Sequence, residues 1–375
     1  MTERKYLARV IGYGSGGEGV ARLPDGRAVF IRGAARGDLC EIAVIKEEPR
    51  SCRAEILRIA EPSPWRIEPD CPVYQVCGGC DFRHVTYEEE LRAKLTRVND
   101  ALERIGKLSL CAEEILSTGQ TEGYRNKAVF HSALKDGKTV TGFYRRGSHE
   151  VCPVERCALL RDELNGALRA LREDSPPPGS EVMLRAGRGG FCEPVEEELD
   201  GLLFRMSPES FFQVNSGAAL LLYQKAREYA ALSKDETLVD LYCGVGTLTL
   251  FLGRGAGRAL GVENNPAAVR DAQENARMNG LGHIEFICAD AANWQPDGFQ
   301  GGCLVVDPPR RGLSPGAARK ILELSPARIV YLSCDPATLA RDLRLLAGYE
   351  ARRVCAVDMF PRTANVECCL LLWRK

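Results

Sequence analysis

The sequence predicts an α/β protein in three parts: an OB-like β-barrel over residues 1–60, an α+β central domain over 61–205 and a Rossmann-like domain over 206–375. Three observations carry that expectation. From about Thr237, short β-branched runs alternate with helical stretches, which builds a parallel sheet covered on both faces. The first 60 residues are instead short strand candidates broken by glycines and tight turns, as in a small barrel. Between these parts lies a compact cysteine group, Cys71, Cys77 and Cys80.

The barrel strands are expected over Arg4–Ile11, Val20–Leu23, Ala28–Ile31, Leu39–Ile45 and Cys52–Ile59, with a turn at Pro24-Asp25-Gly26-Arg27. Such a module is either generic or a nucleic-acid barrel, and the arginines from Arg22 to Arg36 offer a basic face for the second use. Pro62, Pro64 and Pro69 mark a linker. Leu91, Leu95, Val98, Leu102 and Ile105 recur at spacings of three and four, which predicts a helix over Tyr87–Ile105. A hairpin is expected over Tyr124–Phe143, turning at Lys135-Asp136-Gly137-Lys138, and a loop over Asp174–Ser180. Strands follow at Thr237–Tyr242, Arg258–Glu263, Ile284–Cys288, Cys303–Asp307 and Arg328–Leu332. Helices lie between them, one starting at Leu248, others over Ala267–Asn279 and near Ala317–Leu324. Arg353–Val357 and Val366–Trp373 have no long helix between them, so the sheet is expected to finish antiparallel.

Composition narrows the function. The chain is 45% hydrophobic and 27% charged, a globular balance, and has no apolar run near the ~20 residues that span a bilayer. Met1 to Tyr6 holds no apolar signal core, so a cytoplasmic protein without membrane contact is expected. Its 16 cysteines are then thiols, ligands or catalysts rather than disulfides. A net charge of -1 excludes a general polycation, so nucleic-acid binding has to rest on local groups such as Arg310-Arg311.

Asp240-Leu241-Tyr242-Cys243-Gly244-Val245-Gly246-Thr247 stands at a strand-to-helix turn where glycines let the backbone approach a ligand. Glu263 follows at the next strand end, where such folds hold ribose hydroxyls, and Asp290 at the one after. The third glycine of a dinucleotide fingerprint is missing. A nucleoside without pyrophosphate, such as S-adenosylmethionine, fits better than NAD or FAD. Asp307-Pro308-Pro309-Arg310 ends a later strand and is related to motifs that hold planar amides and bases in methyltransferases. Cys334 ends the strand after it, in Tyr331-Leu332-Ser333-Cys334-Asp335-Pro336. A thiol on that rim is either a structural cysteine or a nucleophile.

These stretches, with Phe211-Phe212-Gln213-Val214-Asn215 and Asp358–Glu367, resemble the RNA uridine C5-methyltransferases, which make 5-methyluridine in ribosomal and transfer RNA. The resemblance spans essentially the whole chain, and the barrel resembles the TRAM domain of that family. It implies a class I S-adenosylmethionine methyltransferase domain. Cys334 would add to uracil C6, Glu367 would remove the C5 proton, and Asp307 would orient the base. Gln213, Asp240, Tyr242, Gly244, Gly246, Glu263, Asp290 and Asp307 would hold the methyl donor. The target base would swing out of its stack. One departure is Asn365, where many members carry histidine two residues before the base.

Cys71-x5-Cys77-Gly78-Gly79-Cys80 needs a distant fourth ligand, and Cys152 and Cys157 are both candidates. Four thiolates hold either zinc or a 4Fe–4S cluster. The resemblance implies the cluster, and favours Cys157. Arg125 and Lys127 are either phosphate contacts or residues of a solvated hairpin. The implied activity is methylation of uridine C5 in RNA, with 23S ribosomal RNA as partner and a monomeric enzyme. The alternatives are a transfer RNA T-loop methyltransferase and a non-catalytic RNA-binding protein.

Overall fold

The computed structural model describes residues 4–191, 194–207, 210–294 and 302–375. Six strands form the N-terminal sheet: β1 (Lys5–Arg9), β2 (Gly12–Tyr13), β3 (Gly19–Arg22), β4 (Ala28–Ile31), β5 (Leu39–Glu47) and β6 (Ser51–Glu61). Their order is β1-β5-β6-β4-β3-β2. Ile11 N donates to Val20 O (2.8 Å), which ties the end of β1 back to β3 and curls the sheet towards a barrel. Alternate residues Val29, Ile31, Cys40 and Ile42 fill its core. The expected Arg4–Ile11 strand breaks after Arg9, because Val10 and Ile11 turn to bond Asp38 and Val20.

After the linker come α1 (Tyr87–Arg104) and β7 (Ile115–Leu116). Thr86 caps α1 by accepting from Glu89 N, and the acids Glu88, Glu89 and Glu90 occupy its first turn. A four-stranded antiparallel sheet follows, in the order β10-β9-β8-β11, from β8 (Lys127–Lys135), β9 (Lys138–Tyr144), β10 (Val151–Pro153) and β11 (Glu181–Arg185). The β8–β9 turn is tight because Asp136 and Gly137 both take positive φ. Helix α2 (Asp162–Glu173) packs on this sheet through Leu164 and Leu168.

The largest sheet has eight strands. Its parallel part is β14 (Thr237–Leu241), β15 (Arg258–Glu263), β16 (Ile284–Cys288), β17 (Cys303–Val306) and β18 (Arg328–Ser333). Then β19 (Tyr349–Val357) and β20 (Glu367–Arg374) finish it antiparallel, with β20 inserted between β18 and β19. The full order is β16-β15-β14-β17-β18-β20-β19-β7. Cys303 to Val306 are all buried, as expected of a strand covered on both faces. The covering helices are α3 (Ser216–Ala230), α4 (Thr247–Gly253), α5 (Pro266–Met278), α6 (Pro315–Leu324) and α7 (Pro336–Asp342).

The expected 61–205 domain is divided. Val98 and Leu102 of α1 share a core with Leu339 of α7 and Tyr349 of β19. β7 adds an eighth strand beside β19. The hairpin β12 (Val195–Leu199) and β13 (Leu202–Met206) also buries its apolar side in the C-terminal core. The boundary expected near Arg205 therefore cuts through that hairpin. Sequence order hides this, because the apolar faces of α1 and β13 find partners more than 60 residues away. Among the described residues no helix is long and apolar enough to cross a membrane, and the described cysteines are free thiols.

Candidate active site

Order reverses between β14 and β17, and the carboxyl ends of the parallel strands on either side carry most of the expected site residues. Asp240 is the penultimate residue of β14 and is buried. Thr249 Oγ1 donates to its Oδ2 (2.6 Å), while Oδ1 has no partner. Burial pushes its carboxyl up to about 8, with Asp307 and Glu263 adding to the rise. The turn after it is built from left-handed residues: Tyr242 at φ 67°, Gly244 at 54° and Gly246 at 80°. A Cβ at Gly246 would stand 2.7 Å from the Phe286 ring, so the turn needs glycine there for both reasons. Glu263, the last residue of β15, accepts from Gly244 N (3.1 Å) and Asn265 N (2.9 Å), which locks the turn against the neighbouring strand.

Gln213, Asp240, Tyr242, Gly244 and Asp307 line one narrow cleft together with Tyr223. Gln213 is brought there by Asn126, whose Nδ2 donates to Gln213 O (3.1 Å). Asn215 helps from the other side: it caps α3 and donates to Met359 O (3.2 Å). Asp290 stays at the rim. It is exposed and accepts from Ala292 N (2.7 Å) to close its own turn. The exposed Phe211 ring stands at the mouth of the cleft.

Asp307 follows β17, whose last residue Val306 pairs with Tyr331 of β18. Its deep setting pushes its carboxyl up to about 6. Cys334 follows Ser333, the last residue of β18, which pairs with Cys368, and Glu367 precedes Cys368 at the start of β20, so Cys334 and Glu367 flank the last pair of that ladder. Glu367 is 4% exposed. Burial, then Asp307, push its carboxyl up to about 8, against the pull of the exposed Arg310. The half-buried Cys334 thiol is pushed up to about 11 by burial, Glu367 and Asp307, and Arg310 again opposes. Asn365 directs its backbone N–H to Thr363 Oγ1 (3.2 Å), within the loop that delivers Glu367.

A thiol, two carboxyls and a nearby guanidinium thus meet where a planar ring could lie. The chemistry such a set can do is addition of the thiol and removal of a proton.

Cys71, Cys77, Cys80 and Cys157 line a second cavity, of about 550 Å³, between the 71–80 segment and the four-stranded sheet. Cys152 does not line it. That thiol is buried, within 3.8 Å of Pro153 O, so of the two candidate fourth ligands Cys157 is the one that reaches the cavity. Burial pushes the Cys80 thiol up to about 12. Arg83 stands beside it, is itself buried, and donates to Asp70 Oδ1 (2.5 Å). Among the described residues no three His, Cys, Asp or Glu side chains converge on one metal-sized point.

Two groups of residues at the site had no sequence signal. Tyr223 lies on α3, a helix the periodicity did not single out, and is buried within electrostatic reach of Asp307, Asp240 and Glu367. Lys94 and Arg97 read as ordinary polar positions of α1, yet both bond the loop ahead of Glu367.

The family described as tRNA (Uracil-5-)-methyltransferase matches residues 194–375, and the TRAM domain matches residues 2–57. An uncharacterized RNA methyltransferase of Halalkalibacterium halodurans is 33% identical over 94% of this chain and 93% of its own. One from Gloeobacter violaceus is 32% identical over 96% and 94%. The solved structure of Pyrococcus abyssi tRNA (uracil-54, C5)-methyltransferase, in complex with S-adenosyl-L-homocysteine, superposes with a TM-score of 0.75. It is 24% identical and covers 98% of this chain and 100% of its own.

Proposed function

The chain belongs to the RNA (uracil-5-)-methyltransferase family, S-adenosylmethionine-dependent enzymes, and from that premise we propose that it methylates uridine C5 through a covalent adduct on Cys334. The observation that carries the proposal is that Cys334 and Glu367 flank the last pair of one ladder, with Asp307 in electrostatic reach of both.

The donor set suits S-adenosylmethionine. Asp240 offers an unpartnered buried oxygen, Gly244 and Gly246 leave the turn open, and Glu263, Gln213, Tyr242 and Asp290 supply polar edges. When bound, the cofactor supplies the electrophilic methyl group that the activated C5 takes up. Uracil C5 is a poor nucleophile by itself. Attack of the Cys334 thiolate at C6 breaks the C5–C6 double bond and leaves an enolate that is nucleophilic at C5. After methylation the C5 proton passes to the Glu367 carboxylate, the double bond re-forms and Cys334 leaves as thiolate. Asp307 orients the ring edge. Raised to about 8, Glu367 in its ionised form is a stronger proton acceptor than an ordinary carboxylate, and the ionised fraction, which grows as pH rises through 8, is the form that serves this step.

Cys71, Cys77, Cys80 and Cys157 would hold a 4Fe–4S cluster. The four thiols line one cavity without converging on a single metal-sized point, and a cluster's cube, which holds its four cysteine sulfurs farther apart than one tetrahedral zinc does, suits that spread. The TRAM barrel supports RNA as the partner. Ribosomal 23S RNA is the proposed substrate, from the family resemblance of the three-part chain. Transfer RNA is the other outcome the experiment separates.

Purified enzyme, methyl-labelled cofactor and either 23S or transfer RNA test the proposal, with 5-methyluridine mapped in each. Label in 23S RNA is expected; label in transfer RNA alone moves the substrate, and label on another base overturns the reaction. RNA carrying 5-fluorouridine should form an adduct that survives denaturation and disappears in Cys334→Ala.

A further inference from the structure

We propose that Arg97 is a positioning residue that holds Cys334 and Glu367 at their working separation, with Lys94 anchoring the same loop one helical turn away. The role depends on uridine methylation as proposed above. Arg97 Nη1 donates to Ala364 O (2.7 Å), three residues before Glu367. Its Nη2 donates to Asp335 Oδ2 (3.3 Å), the residue after Cys334. One planar guanidinium therefore touches the approach to both reacting groups.

The middle of the loop between β19 and β20 is held by Tyr124 OH to Pro361 O (2.9 Å), Arg362 N to Glu90 Oε1 (2.6 Å) and Ala364 N to Asp81 Oδ2 (2.9 Å), while side chains of α1 hold its two ends. Lys94 Nζ, fully buried, donates to Asp358 Oδ1 (2.6 Å) and to Phe360 O (3.1 Å) at the start of the loop. Arg97 grips it near the end. Both side chains leave the same face of α1, three residues apart, and α1 is itself anchored in the core through Val98 and Leu102. Asp335 does not need Arg97 to cap α7, because its Oδ1 already accepts from Thr338 N (2.8 Å). The contact from Arg97 is an additional tie between the two strand ends.

Chemistry makes that tie consequential. Thiol addition and proton removal take place on adjacent ring atoms, C6 and C5. A shift of about 1 Å between the groups that serve them is enough to slow turnover about a hundredfold. A competing role exists for a partly exposed arginine beside an RNA site, namely a phosphate contact. That role would weaken RNA binding and reduce its salt dependence without slowing bound substrate.

Steady-state kinetics of full-length Arg97→Met, Arg97→Lys and Asp335→Asn, on the RNA that the parent methylates, decide between them. Arg97→Met should lower kcat about tenfold to a hundredfold while KM for RNA and for S-adenosylmethionine stay within about twofold. Arg97→Lys should recover part of kcat. Asp335→Asn should lower kcat, and the double variant should be no slower than Arg97→Met alone. An unchanged kcat, or a loss confined to KM for RNA, overturns the proposal. If Arg97→Met does not fold, parental kcat in both Arg97→Lys and Asp335→Asn overturns it equally. A parent chain that methylates no uridine refutes the function and this role with it. An active parent with indifferent variants refutes the role alone.

Discussion

Cys334 and Glu367 flank the Ser333–Cys368 pair that ends the ladder between two antiparallel strands, Cys334 just past the end of β18 and Glu367 at the start of β20. The antiparallel insertion of β20 beside β18 produces this arrangement. A purely parallel sheet would bring only strand carboxyl ends to the rim. Here β18 delivers its end and β20 its beginning, so two residues 33 positions apart in sequence come together beside the last pair of one ladder.

The first prediction separates the two roles. With Glu367→Gln, thiol addition and methylation should proceed while proton removal stalls. Ordinary uridine RNA should then remain covalently attached to the protein on a denaturing gel, in a cofactor-dependent way. Turnover should fall at least about a hundredfold. A variant that turns over at the parental rate rules Glu367 out as the base.

Much of this site was legible in the sequence, because the parallel strands announce themselves as apolar runs and the rim residues follow each run directly. Asp240, Glu263, Asp307 and Cys334 all sit where a strand ends. What was not legible depends on contacts between distant segments. The placement of α1 against α7, the joining of β7 to β19 and the burial of Tyr223 near three acids arise from pairings that no local period records. Helix α7 escaped notice for a different reason. It has seven residues, about two turns, and opens on Pro336 at N1, which reads locally as a turn.

The acids predict how stability varies with pH. Asp240, Asp307 and Glu367 are all raised in the fold, to about 8, 6 and 8, from ordinary values near 4. Below about pH 4 both folded and unfolded chains hold these protons and the stabilising contribution is complete. As pH rises the unfolded chain ionises first, so stability is lost progressively until the folded values near 8 are passed. Urea titrations of the ligand-free protein should therefore show stability falling between pH 5 and 8 from these groups. Glu367→Gln should flatten that fall by up to ~1.4 kcal/mol per pH unit. Parallel slopes for parent and variant would refute the raised value of Glu367.

The cysteine cavity predicts an asymmetric pair of variants. Cys157 lines the cavity and Cys152 does not. After anaerobic purification, Cys157→Ser should lose most iron and visible absorption, whereas Cys152→Ser should keep both. Stoichiometric zinc in the parent protein would exclude the cluster. Iron loss in Cys152→Ser but not in Cys157→Ser would reverse the assignment of the fourth ligand.

The buried ion group around Lys94 makes the last prediction. Lys94 Nζ lies 2.7 Å from Glu90 Oε1 and 2.6 Å from Asp358 Oδ1, and all three side chains are excluded from solvent. Tyr87 OH donates to the other Asp358 oxygen (2.6 Å), and Arg362 N donates to Glu90 Oε1 (2.6 Å). Two acids thus share one ammonium, and Glu90 is raised by burial and by Asp358 despite Lys94. Lys94→Met removes the only ammonium among these three groups and leaves two buried carboxyls, with the Arg362 guanidinium, 3.7 Å from Glu90 Oε2, as the remaining cation beside them. Breaking such a group from one side costs about 3–5 kcal/mol, whereas replacing it whole with neutral groups of similar shape costs far less. Lys94→Met should therefore lower stability by that amount in urea titrations, more at pH 8 than at pH 6. Adding Glu90→Gln and Asp358→Asn should restore most of it. A triple variant no more stable than Lys94→Met would show that the ammonium contributes by packing and hydrogen bonding alone, and not by balancing the two acids.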